Sequence, residues 1–294
     1  HLDPEQDRSS ITFILLGVAY SASIGGIGTL VGSPPNVIAA AQTGLSFIQW
    51  MRIGMPIVFI LLPIAIVILF FFFKPKLGSR YTPEKITFVW TINSKLTLAI
   101  FLCTVIAWVG SVPLSNLLGG IAQFDTLIAL IAAVLICLTG VASWQDIEQQ
   151  TEWGVLVLFG GGIALSAVLK ETGTSLFLAQ HITATFAATS PVLLFFIIAS
   201  FVVFLTEFTS NTATAALLVP LFAGVAESLG ISAIVMSVMV SVACSCAFML
   251  PVATPPNAIV FSSGLVRQQD MIRVGLLLNI ACIMLLTGLF YVDL

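Results

Sequence analysis

Charge is what this sequence most lacks. Its 294 residues include only 10 Lys or Arg and 13 Asp or Glu, 8% of the chain, against about 25% in an ordinary soluble domain. So few charged side chains cannot clothe a soluble surface of this size, which excludes a cytosolic enzyme. A net charge of −3 offers no basic patch and excludes a nucleic-acid partner. Of the two histidines, His1 and His181, neither sits in a nucleophile–base set, so catalysis is not expected. The five cysteines (Cys103, Cys137, Cys244, Cys246, Cys282) all lie in apolar runs, which rules out a secreted disulfide scaffold. Cys244-x-Cys246 has no neighbouring His, Asp or second Cys pair, so these thiols read as small hydrophobes rather than metal ligands. His1-Leu2-Asp3-Pro4 carries no start methionine and no signal-peptide pattern. The chain is therefore expected to be the C-terminal portion of a larger protein.

What it has in excess is apolar length: 59% of residues are hydrophobic and Phe59–Phe73 is free of charge. A membrane-spanning helix needs roughly 20 apolar residues. Spans are expected at Ile11–Val31, Arg52–Phe73, Leu96–Leu117, Ala122–Val141, Trp153–Leu169, Ile231–Leu250 and Ile272–Val292. Pro191–Thr209 and Ala213–Ala226 flank Ser210-Asn211-Thr212, and the second of them, 14 residues long, is too short to cross comfortably. The pair reads as a re-entrant hairpin. Lys74, Lys76, Arg80, Lys85 and Lys95 cluster between two spans and mark that loop as cytoplasmic. Trp144–Trp153 reads as an interfacial helix with two aromatic anchors, and Asp125 as an interfacial residue near a span end.

The chain also repeats itself. Ser33-Pro34-Pro35-Asn36 recurs as Thr254-Pro255-Pro256-Asn257, 221 positions later, and Met51-Arg52-Ile53-Gly54 recurs at the same offset as Ile272-Arg273-Val274-Gly275. An odd number of crossings separates the copies, so they are expected to be inverted, the arrangement of many secondary transporters. The second copy owns the Ser210-Asn211-Thr212 hairpin; the equivalent of the first would lie before His1. These features describe an all-α polytopic membrane protein, an inverted-repeat transporter with broken helices and a re-entrant hairpin.

Pro-Pro inside a span removes N–H donors, clashes with the preceding turn and restarts the helix, with Ser33 or Thr254 as N-cap and the first proline at N1. Broken backbone at membrane depth survives where it lines a cavity or is buried in protein. Carbonyls ending the first half-helix suit a hard cation, and the start of the second half-helix suits an anion. No Lys or Arg lies near these motifs, so a bound cation that offsets the anion's charge makes cation coupling expected. Glu207, the one carboxylate deep in the hairpin, is either a proton carrier or a structural acceptor. Gly160-Gly161-Gly162 lacks the Lys-Ser/Thr of a phosphate loop and reads as helix packing, and Gly26-x-Gly28-x-x-x-Gly32 misses the dinucleotide spacing.

Thr206–Thr214, Leu250–Ala258, Gly26–Asn36 and Trp153–Leu165 with its glycine triplet resemble the divalent anion:sodium symporter family, over nearly the whole chain. The resemblance implies carriers of C4-dicarboxylates, citrate or sulfate, working as homodimers by an elevator movement of a transport domain against a scaffold. It implies one Na⁺ site at Thr206, Thr209, Asn211 and the Ala253 carbonyl, and a second using Gly32. It implies substrate contacts at Ser33, Ser210, Asn211, Thr212, Thr254 and Pro255, with Asn36 and Asn257 as further candidates beside the prolines. The domains expected are 1–50, the first broken helix; 51–152, scaffold helices and the cytoplasmic loop; 153–264, the second-repeat transport domain; and 265–294, a C-terminal helix. The function expected is Na⁺-coupled transport of di- or tricarboxylates in an inner membrane, with no cofactor beyond the coupling ion and with the lipid bilayer and a second copy as partners. Proton-coupled, exchange or sulfate transport on the same fold stands as the alternative, and a channel or non-transporting scaffold as a different class.

Overall fold

A computed structural model describes residues 7–76, 89–121, 123–151 and 190–292, with individual positions between 153 and 177. Among the described residues the regular elements are all helices. In chain order they form α1 (Arg8–Ile27), α2 (Pro34–Thr43), α3 (Phe47–Phe73), α4 (Ile92–Val109), α5 (Ser111–Leu117), α6 (Phe124–Leu138), α7 (Trp144–Gln150), α8 (Pro191–Phe208), α9 (Asn211–Ser228), α10 (Ala233–Ser245), α11 (Pro255–Ser262) and α12 (Gln268–Val292). Five of them, α1, α3, α4, α8 and α12, are long and apolar enough to cross a membrane, and α6 and α10 are shorter apolar helices. This is a multi-pass membrane protein.

Local chemistry sets the boundaries. Gly44 closes α2 in the left-handed region at φ 73°, where a Cβ would be strained. Two residues later Ser46 and Gln49 form a reciprocal capping box that opens α3. Ser143 and Asp146 do the same for α7. Hydrogen bonds from the Ser143 hydroxyl and then its backbone hold the Asp146 carboxyl below its ordinary range.

Two expected spans and one expected hairpin arm differ in the structure. Leu96–Leu117 is divided at Gly110 into α4 and α5. Ile231–Leu250 stops being helical at Ser245, because the chain unwinds before Pro251. The second hairpin arm is longer than its apolar run: Ser210 caps α9 and the helix continues through Pro220 to Ser228, 18 residues in all. Most of Trp153–Leu169 with its glycine triplet, and residues 77–88 of the basic loop, lie outside the described residues.

The core gathers both breaks. α1 packs along α3, α8 against α12, and α9 between α10 and α2, while α10 also touches α2, α8 and α12. Leu16, Tyr20, Ile24 and Ile27 of α1, Leu61 and Leu69 of α3, Phe195 of α8, Met236 and Met239 of α10 and Leu286 of α12 are fully buried. α3, assigned from the sequence to residues 51–152, thus packs with the first broken helix and contacts α12. α4, α5 and α6 pack on one another, and α4 has no buried residue. One junction between them and the rest is at Phe47. Its N–H donates to Asp125 Oδ2 at 2.7 Å, its ring stacks on Trp108 at 5.0 Å, and Trp108 Nε1 donates to the Asp125 carbonyl at 3.0 Å.

Candidate functional site

The two Pro-Pro segments are built alike. In each, the residue before the prolines is extended (Ser33 φ −152°, Thr254 φ −141°) and a proline occupies the first helical position. Asn36 and Asn257 are fully buried. Asn36 Nδ2 donates to the carbonyls of Gly26 and Thr29, both at 2.8 Å. Asn257 Nδ2 donates to those of Ala247 and Leu250, at 3.2 and 3.1 Å. Each donor and each acceptor has its counterpart 221 positions away, so one amide side chain staples each unwound loop to the helix that follows it. The two asparagines, expected among the substrate contacts, are not among the described lining of the cavity below, and their NH₂ groups are committed to carbonyls that unwinding would leave unpaired.

A second donor then seals one carbonyl per loop. Trp50 Nε1 donates to the Ile27 carbonyl at 2.9 Å. Tyr20 OH donates to the Phe248 carbonyl, the equivalent position, at 2.8 Å. Tyr20→Phe should cost about 1 kcal/mol, read as a lower midpoint when the purified protein is melted.

Glu207 organises the second loop. Its carboxylate is 1% exposed and accepts from the backbone N–H groups of Phe248, Met249 and Leu250 at 2.7, 2.9 and 3.0 Å. Asn279 Nδ2 on α12 adds a fourth donor at 2.7 Å. The position of α3 equivalent to Asn279 is Val58, so the first loop lacks this partner.

These loops and the hairpin tip surround a cavity of about 530 Å³. Gly32, Ser33, Ser210, Asn211, Thr212, Ala253, Thr254 and Pro255 line it, as expected from the motifs. Ser23 and Ser245 line it too, and neither was expected; Ser237, Ser241 and Ser245, spaced one turn apart on an otherwise apolar α10, were the available signal for Ser245. Thr206 is buried beneath the tip, its hydroxyl 2.6 Å from Asn211 Oδ1 and 3.0 Å from the Cys244 carbonyl. Thr209 turns to the Leu205 carbonyl at 3.0 Å and to the Thr214 hydroxyl at 2.6 Å. Thr206 and Asn211 thus meet in an oxygen-only cluster suited to a hard monovalent cation, with Thr209 directed elsewhere.

Three helix N-termini converge here, those of α2, α9 and α11, and each carries partial positive charge. The prolines change what they offer. Positions N1 and N2 of α2 and α11 are all proline and have no N–H, and the N3 amides are taken by the Ser33 carbonyl and by Thr254 Oγ1. Free amide donors come instead from the first residues of α9, and at the other two ends an anion would meet hydroxyls in a positive field.

Comparison with known proteins places this geometry. A family model described as the sodium:sulfate symporter transmembrane region matches residues 2–293. The chain is 48% identical over 297 residues to an uncharacterized transporter of Haemophilus influenzae, covering 99% of this chain and 64% of that protein. Identity is 36% over 281 residues to an uncharacterized transporter of Methanocaldococcus jannaschii, covering 95% and 64%. It is 32% over 312 residues to a Staphylococcus saprophyticus protein named sodium-dependent dicarboxylate transporter SdcS, covering 98% and 60%. The chain thus spans less than two thirds of the length of these relatives.

Proposed function

The chain belongs to the sodium:sulfate symporter family, and from that premise we propose that it forms part of a Na⁺-coupled carrier of di- or tricarboxylates in an inner membrane. The observation that carries the proposal is the convergence of three helix N-termini, with the hydroxyls of Ser33, Ser210, Thr212 and Thr254, on a cavity whose lining, among the described residues, holds no Lys, Arg or His. A dianion there meets dipoles and hydroxyls and, among the described residues, no fixed cation, so a bound Na⁺ lowers the cost of bringing it in. In this reading Ser33, Ser210, Asn211, Thr212, Thr254 and Pro255 contact the substrate. One Na⁺ lies against Thr206, Asn211 and the Ala253 carbonyl, with Thr209 bracing the tip, and a second is held in part by Gly32. The matched loops belong to inverted repeats and move together as one transport body against α4–α6 and a second copy of the chain, in an elevator motion. Glu207, with four donors on its carboxylate, acts as a structural acceptor. Preference for carboxylates over sulfate draws support from the dicarboxylate transporter at 32% identity.

The test is uptake of labelled succinate into proteoliposomes of the full-length protein, under an inward Na⁺ gradient, a K⁺ gradient or a pH gradient. Saturable uptake that requires Na⁺ and is blocked by unlabelled dicarboxylates is expected. Uptake driven by protons alone, or inhibition by sulfate but not by citrate or malate, would overturn the coupling ion or the substrate class. Flux that does not saturate would mark a channel.

A further inference from the structure

The two hydroxyls that precede the prolines are equivalent in sequence and differ in their bonding. Thr254 is buried, 5% exposed, and its Oγ1 accepts from the Asn257 N–H at 3.3 Å. That fixed backbone donor fills one lone pair and leaves the Thr254 proton free to point into the cavity. Ser33 is half-buried on the cavity wall and makes no side-chain cap on its own helix. Its Oγ lies 3.2 Å from the Oγ of Ser245, a residue 3% exposed at the end of α10. Ser245 Oγ in turn lies 3.4 Å from the Ser241 carbonyl of its own helix.

A hydroxyl carries one proton and two lone pairs, which limits the states of this chain of three groups. With the Ser245 proton on the Ser241 carbonyl, Ser245 can only accept, Ser33 gives it its proton, and the cavity sees lone pairs alone. With the Ser245 proton turned to Ser33, the Ser33 proton is released to the cavity. The second state suits an anion, and at 3.4 Å the bond it gives up is a long one. Hydroxyl rotation is all that separates the two.

Resting on the carrier reading, we infer that Ser245 is a positioning residue for substrate: it donates to Ser33 when an anion arrives, as the Asn257 N–H does for Thr254, so that Ser33 donates to the anion. The two donors differ in origin. Thr254 is set by the backbone of its own helix. Ser33 is set by a side chain 212 residues away on α10, so the first break is competent only when α10 is packed against it.

The experiment is a double-mutant cycle in the full-length protein, with Ser33→Ala, Ser245→Ala and the double variant assayed for Na⁺-driven succinate uptake in proteoliposomes. Ser245→Ala should raise KM for succinate about five- to tenfold, the worth of one hydrogen bond. Maximal rate should stay within about twofold and, at saturating succinate, the half-saturating Na⁺ concentration should not move, since neither serine hydroxyl is hydrogen-bonded to Thr206 or Asn211. Ser33→Ala should raise KM at least as much, and in its background Ser245→Ala should add nothing, because the group it positions is gone. A Ser245→Ala effect of equal size with and without Ser33, or one falling on maximal rate or Na⁺ dependence, would overturn the inference and assign Ser245 to packing. If the wild type takes up sulfate or citrate but not succinate, the substrate class falls while the same cycle on that anion still decides the pair. If the wild type takes up none of the three, the carrier reading falls and takes this inference with it.

Discussion

Glu207→Ala should destabilise the protein by at least about 3 kcal/mol, because each buried donor left without an acceptor costs about 1–3 kcal/mol, and should abolish uptake. Truncation leaves three consecutive backbone N–H groups, those of Phe248, Met249 and Leu250, and the Asn279 amide without their acceptor. In a span these groups have no water to turn to. The loop they belong to also holds the Phe248 carbonyl and leads into Ala253 and Thr254 on the cavity wall, so the damage reaches the site as well as the fold. Glu207→Gln keeps the shape and one accepting oxygen but turns an NH₂ group toward donors, and should melt between the wild type and the alanine variant. A proton carrier would behave otherwise: the glutamine variant would melt like the wild type and its uptake would lose pH dependence. Thermal melts of the three proteins, with uptake measured across pH, separate the two roles.

The second large effect is expected from a single methyl group. Gly275 on α12 lies so close to the second loop that a Cβ there would fall inside contact distance of the Phe248 carbonyl, and at Gly54, its equivalent on α3, a Cβ would sit 2.6 Å from the Ile27 carbonyl. In both cases the obstacle is backbone already engaged by a hydrogen bond, from Tyr20 or from Trp50, so it cannot simply step aside. Gly275→Ala should cost about 1–3 kcal/mol of overpacking and at least tenfold in succinate uptake, since moving Phe248 disturbs the N–H groups that Glu207 holds. Gly288, on the same helix, has nothing within 4 Å of its Cβ position. Gly288→Ala should be neutral or stabilise by about 0.5–1 kcal/mol. Equal uptake by both variants would remove the close approach from the account of the site.

The parts of this architecture that were legible in the sequence are those written in adjacent residues. Pro-Pro after Ser or Thr breaks and restarts a helix through chemistry confined to four positions, and Ser210-Asn211-Thr212 marks a tip because apolar arms flank it. The parts that were not legible depend on residues far apart. Nothing local tells that Tyr20 reaches a carbonyl 228 residues on, or that Asn279 meets Glu207 across 72. Asn36 and Asn257 looked like ligands because they adjoin the prolines, and only the path of the unwound loops reveals what their amides hold. The different bonding of Ser33 and Thr254 was equally hidden, since both are good N-caps. The arm of α9 was undercounted because apolar length was used as its measure, whereas a cap and a tolerated proline decide where it begins and ends.

The junction at Phe47 also has a mechanical consequence. Held at Phe47 by its amide and its ring, the body of α4–α6 would tilt there like a lever on a fulcrum. The arm is α4, 18 residues and about 27 Å long, and the grip lies at its Trp108 end. A tilt of roughly 10° about that point carries the far end about 5 Å, while the first turn of α3 scarcely moves. Such a tilt would open one end of the seam with α3 and leave the end at Trp108 closed.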